Sequence, residues 1–189
     1  LNFILRILFK IFGWKTEGNI PYHIKKGIFV VAPHNNTQDF FIGLAVRAAV
    51  RLKIGFLGKA ELFKPPFGFI FRWLGGTPVF RTQKLNMVES YVAAINKADD
   101  MLFAIAPEGT RKNVKKLRTG FYYMALGAGI PIIRVGFDFP AKKVIFAEPF
   151  SPGGDFKADM QKYFVPFFEN IGGMRNDWIE NYRKGIFGD

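Results

Sequence analysis

Two short polar runs carry the residue types that could do chemistry. The first, APHNNTQD, holds His34 and Asp39; the second, PEGTR, holds Glu108, Gly109, Thr110 and Arg111. Each follows an apolar segment of strand character, GIFVVA at residues 27–32 and MLFAIA at residues 101–106. Strand ends of this kind are where an open α/β sheet places its chemistry. Histidine is the natural general base near neutral pH. A carboxylate five positions on does not share a helical face with it, so Asp39 serves His34 only if the NNTQ turn folds it back. There it would fix the tautomer and stabilise the imidazolium, as the aspartate of a Ser-His-Asp site does, with the substrate's own hydroxyl in place of the serine. Spacing alone does not make the pair catalytic.

The second run delivers a carboxylate, a glycine, a hydroxyl and a guanidinium within four positions. Gly109 lets a backbone approach a ligand closely, and Arg111 presents a planar fork matched to phosphate. Glu108 is suited to hold an arginine or a substrate hydroxyl. The bland alternative is a strand-end turn closed by a Glu-Arg ion pair. Lys112, Lys115, Lys116 and Arg118 follow, and Arg81 ends another short apolar run. A phosphate site built from converging cations needs no metal, and two histidines without any cysteine exclude a histidine-rich cluster and a thiolate nucleophile. No GxxxxGK[ST], GxGxxG or GxSxG run occurs, which removes the main support for a phosphate-loop ATPase, a dinucleotide site or a serine elbow.

The elements that must position these residues follow from the punctuation. Residues 27–32 and 101–106 read as buried parallel strands, joined by weaker strands at 54–57, 78–80, IPIIRVGF and KKVIFAEPF. Helices are expected over residues 39–52, 87–95, 119–128 and 156–170, with Asp39 favourably placed in a first turn. The aromatic stretch ELFKPPFGFIFRWLGG predicts a loop and short helix around an apolar groove, with a satellite core as the alternative. Strands alternating with helices over 189 residues predict one α/β domain, a mixed, largely parallel sheet flanked by helices.

The net charge is +12, and it is uneven. Residues 1–150 hold 22 Lys and Arg against 9 Asp and Glu, a balance of +13, so the positive field lies with the two polar runs and would draw an anionic partner there. The opening LNFILRILFKIFGW is too short to span a bilayer, which takes about 20 residues. With Arg6 and Lys10 four apart it reads either as an interfacial helix on an anionic membrane surface or as a helix capping the core. The chain opens on Leu1 rather than Met, which leaves an upstream anchor open.

Together these residues resemble the glycerolipid acyltransferases typified by 1-acyl-glycerol-3-phosphate acyltransferase. The family's His, four residues, Asp motif is matched by His34 and Asp39, and its EGTR motif by Glu108, Gly109, Thr110 and Arg111. GGTPVFR, ending at Arg81, is similar to the intervening motif, and GIPIIRVGF to the later proline-containing one. The resemblance implies that His34 is the base that activates a hydroxyl, oriented by Asp39. It implies that Arg81 and Arg111 bind the acceptor phosphate, and that Glu108, with Gly109 and Thr110, organises the acceptor. The donor would be acyl-CoA or acyl carrier protein as co-substrate, with no cofactor and no nucleic acid. The acceptor would be a lysophospholipid, and the location peripheral, on the cytoplasmic face of a membrane. Residues 1–14 would form the interfacial helix and 15–189 the acyltransferase domain. Phe80 stands where many relatives carry a polar residue, and the basic stretch after PEGTR leaves the acceptor open to another hydroxylated molecule. A thioester hydrolase and a basic membrane or nucleic-acid binding protein without turnover are the rivals from other classes.

Overall fold

The computed structural model describes residues 2–34, 37–79, 84–173 and 177–187. Phe80 and Arg81 therefore lie outside the described residues. Seven strands form one sheet: β1 (Lys15–Gly18), β2 (Lys26–Ala32), β3 (Ile54–Lys59), β4 (Gly76–Val79), β5 (Met101–Ile105), β6 (Ile132–Asp138) and β7 (Lys143–Phe146), in the order β1-β7-β6-β2-β5-β3-β4. The five strands from β6 to β4 run parallel, while β7 pairs antiparallel with β6 and carries β1 parallel to itself at the edge. The predicted mixed, largely parallel α/β sheet is thus the observed one.

The central strand β2 is apolar on both faces because helices cover both. Phe29 faces one core, with Val46 and Val50 of α2 (Gln38–Val50) and Phe9 of α1 (Asn2–Ile11). Ile28, Val30 and Ala32 face the other, with Ile95 of α4 (Lys84–Lys97), Phe121 and Tyr122 of α5 (Gly120–Ala128), and the C-terminal helices. The helix expected over residues 156–170 is α6 (Phe156–Asp159), a π-helical stretch (Met160–Phe164) and α7 (Val165–Phe168), followed by α8 (Asp177–Arg183). Tyr122 ties α5 to α6 by donating its hydroxyl proton to buried Asp159 at 2.6 Å. Arg134 is buried in β6, where its guanidinium donates to the carbonyls of Tyr163 and Glu148 and lies within 5.6 Å of the Phe150, Tyr163 and Phe167 ring centres. Burial pushes its pKa down to about 10.

The opening segment forms a helix that packs on the domain along part of its surface. Phe9 is buried and Trp14 packs edge-on to Phe139 at 5.4 Å, so α1 caps a core. Phe3, Ile4, Ile7, Ile11 and Phe12 remain exposed on the same segment. Residues 60–63 form a 3-10 turn and α3 (Gly68–Trp73) follows, with Phe67, Phe69 and Trp73 exposed. Phe3 lines a shallow depression together with Trp73 and Leu74, so the apolar faces of α1 and α3 adjoin. No helix among the described residues is long and apolar enough to cross a membrane.

Candidate active site at the carboxyl ends of β2 and β5

Strand register brings the two polar runs together. Val30 of β2 pairs with Ile105 of β5 in a parallel ladder, so His34, four residues beyond the first, and Glu108, three beyond the second, leave the sheet at the same level. The backbone N–H of His34 donates to Glu108 Oε2 at 2.7 Å, and Glu108 is buried. At this distance the bond is a firm tie, and here it fastens one polar run to the other.

Asp39 does come back to His34. Asp39, in the first turn of α2, places Oδ2 3.2 Å from His34 Nδ1. The Asp39 side chain is 3% exposed and the imidazole 29%. An Nδ1–H held by a buried carboxylate leaves Nε2 as the acceptor, the tautomer a general base requires. Negative charge at a helix start is also favoured by the helix dipole.

The remaining residues of PEGTR build the loop. Gly109 has φ +65°, and a Cβ there would come within 2.4 Å of Arg118 Nε, so its glycine serves the turn and the close approach of Arg118. Thr110 Oγ1 accepts from the Lys112 N–H at 3.3 Å, and Arg111 is exposed. Among the described residues Arg111 makes no ion pair, so the alternative of a Glu108–Arg111 bridge is not what forms. Arg81 lies outside the described residues. No group of His, Asp and Glu that could hold a metal is present among them.

An apolar cavity of about 200 Å³ lies between α2 and the sheet, lined by Phe40, Gly43 and Leu44 of α2 and by Phe29, Val31 and Ala104 of the strands. His34 and Asp39 stand in its wall. Arg47 is the other charged residue lining it, and its guanidinium donates to the carbonyls of Ile54 and Leu74. Burial holds the Arg47 pKa below its ordinary value. The sequence signal for this cavity was faint: a glycine, Gly43, inside an otherwise apolar helix.

Residues 15–138 match the model of the family described as Acyltransferase. The chain is 30% identical over 138 residues to a 1-acyl-sn-glycerol-3-phosphate acyltransferase of Haemophilus influenzae, covering 68% of this chain and 55% of that protein. It is 26% identical over 141 residues to a protein of the same description from Salmonella typhimurium, covering 71% of this chain and 57% of the relative. The chain thus spans little more than half the length of these curated relatives. A crystal structure of the 1-acyl-sn-glycerophosphate acyltransferase of Thermotoga maritima shares the fold, with a TM-score of 0.58 at 18% identity over 89% of this chain and 75% of that one.

Proposed function

The chain belongs to the acyltransferase family, and from that premise we propose that it moves a fatty acyl group from a thioester donor to the hydroxyl of a lysophospholipid such as 1-acyl-glycerol-3-phosphate. The observation that carries the reading is the His34–Asp39 pair, 3.2 Å apart, in the wall of an apolar cavity. A base in the wall of an apolar cavity suits a reaction between a small polar group and a hydrocarbon chain.

In this scheme the acyl chain lies under α2 with its thioester carbonyl at His34. Nε2 takes the proton of the acceptor hydroxyl as the oxygen attacks that carbonyl, and Asp39 stabilises the imidazolium that forms. Collapse of the tetrahedral intermediate breaks the C–S bond, and the imidazolium returns its proton to the departing thiolate. No covalent enzyme intermediate is formed; holding two substrates together supplies much of the rate. Glu108, through the His34 backbone, fixes the distance between the base and the loop bearing Arg111. Arg111, with Arg81 by its place in the family's motif, binds the acceptor phosphate. Acyl-CoA and acyl carrier protein both present the required thioester.

The exposed apolar faces of α1 and α3, with Arg6, Lys10, Lys64 and Arg72 on the same segments, support peripheral binding to an anionic membrane surface. A chain without cysteine suits the cytoplasmic face.

The test compares purified wild type with His34→Ala in detergent micelles containing acyl-CoA and lysophosphatidic acid, following thiol release and lipid product by mass. Loss of about 10²- to 10⁴-fold in transfer is expected for removal of a general base. Wild-type-like turnover in a folded variant would reject the assignment, and thiol release without lipid product would favour a hydrolase.

A further inference from the structure

We propose that α8 is a positioning element for acceptor binding: Asp177 and Tyr182 hold the loop from Pro107 to Arg118 in the shape that presents Arg111 to the acceptor phosphate. The inference rests on the acyl-transfer reading above.

The loop is closed at its neck, where the Arg118 N–H donates to the Pro107 carbonyl at 2.8 Å. Its first residues are fixed by Glu108 against His34. Its far half, residues 113–117, belongs to no helix or strand, so its polar groups need partners from elsewhere. They find them on α8. Asn113 and Asp177 bond reciprocally, Nδ2 to Oδ1 at 2.8 Å and the Asp177 N–H to Asn113 Oδ1 at 2.9 Å. The Trp178 N–H donates to the Val114 carbonyl at 3.0 Å, and Asn181 Nδ2 to the Lys115 carbonyl at 3.0 Å. The Leu117 N–H donates to the Tyr182 hydroxyl at 2.9 Å.

The anchor side chains are part of the core. Trp178 and Tyr182 are fully buried and packed together at 5.5 Å between ring centres. The loop, by contrast, carries Arg111, Lys112, Lys115, Lys116 and Arg118 within eight positions, all exposed. Like charges so close repel, and a loop held only at its neck would spread them apart. Five hydrogen bonds to a helix rooted in the core by Trp178, Ile179 and Tyr182 oppose that spreading and keep Arg111 at a fixed reach from His34. α8 lies beyond residue 138, where the family match ends, so this support is not part of the matched region.

The test uses the full chain with Asp177→Ala, Asp177→Asn and Tyr182→Phe. Asparagine keeps an acceptor at Oδ1, and phenylalanine removes only the hydroxyl. KM for lysophosphatidic acid and for acyl-CoA would be measured separately, with kcat, melting temperature and the rate of tryptic cleavage at residues 111–118. Asp177→Ala and Tyr182→Phe are expected to raise the acceptor KM roughly fivefold, equivalent to about 1 kcal/mol, with donor KM and kcat unchanged and faster cleavage in the loop. Asp177→Asn should stay close to wild type. Faster cleavage with an unchanged acceptor KM, an equal change in both KM values, or unchanged cleavage would each overturn the proposal. Should Tyr182→Phe fail to fold, the exposed Asp177 pair carries the test. Arg111→Ala is the reference: if it leaves the acceptor KM unchanged, or if wild type transfers no acyl group, the acyl-transfer reading fails and the positioning role with it, while cleavage still reports whether the clamp exists.

Discussion

Replacing Asp39 by Asn removes a charge while keeping the side chain's size, which makes it the cleanest probe of the proposed base. The carboxylate oxygen lies 3.2 Å from His34 Nδ1, a separation at which two unit charges interact by about 5 kcal/mol at an effective dielectric of about 20. At about 1.4 kcal/mol per decade, that corresponds to between three and four decades in rate. The imidazole is 29% exposed, so water screens part of this attraction, and two to three decades is the expected loss in kcat. An amide nitrogen turned toward Nδ1 would add to it by leaving the ring proton on Nε2, the wrong atom for a base. The assay is steady-state transfer from acyl-CoA to lysophosphatidic acid at saturating substrates, with the melting temperature as a check that the buried site still folds. A kcat within about fivefold of wild type, in a folded protein, would show that Asp39 has a structural task and that His34 does not depend on it.

The cavity and the membrane face give two further predictions. A Cβ built at Gly43 meets nothing within 4 Å, so Gly43→Ala should stabilise α2 by up to about 1 kcal/mol, raising the melting temperature by about 2–4 °C. Gly43→Leu should fill the cavity and shift donor preference toward shorter acyl chains; an unchanged chain-length profile would dissociate the cavity from the acyl group. Phe3→Ser, Ile4→Ser and Ile11→Ser together should weaken sedimentation with anionic vesicles by at least about tenfold, since each apolar side chain inserted contributes about 1.5–3 kcal/mol. Equal sedimentation would move the contact elsewhere. Point substitutions are preferable to deletion of residues 1–14, because Phe9 is buried in the core and Trp14 packs against it.

Strands β2 and β5 were legible because their apolar runs are continuous and sharply bounded, and the two polar runs beyond them were legible for the same reason. What the spacing of His34 and Asp39 could not tell was whether the intervening turn closes, since five positions match no helical face; the structure brings them to 3.2 Å. β1 escaped notice because KTEG is exposed throughout and owes its extended form to pairing with β7. α8 escaped because seven residues carry too little periodicity, although Trp178, Ile179 and Tyr182 do recur at one-turn spacing and are all buried. The cavity under α2 was not legible for a different reason. A cavity is set by how far a helix stands off a sheet, and no local pattern reports that distance.

The edge of the sheet bears on how this protein could be shortened. β1 begins at Lys15, where the family match also begins, but its partner β7 starts at Lys143, beyond the end of that match. Phe164, Phe168, Trp178 and Tyr182, which fill much of the core behind β2, come later still. A fragment cut to residues 15–138 would retain His34, Asp39 and the whole PEGTR run while leaving β1 and one edge of β6 unpaired and half of that core open to water. The limits of resemblance among relatives and the limits of autonomous folding therefore fall at different places in this chain, and an excised catalytic segment should aggregate rather than act.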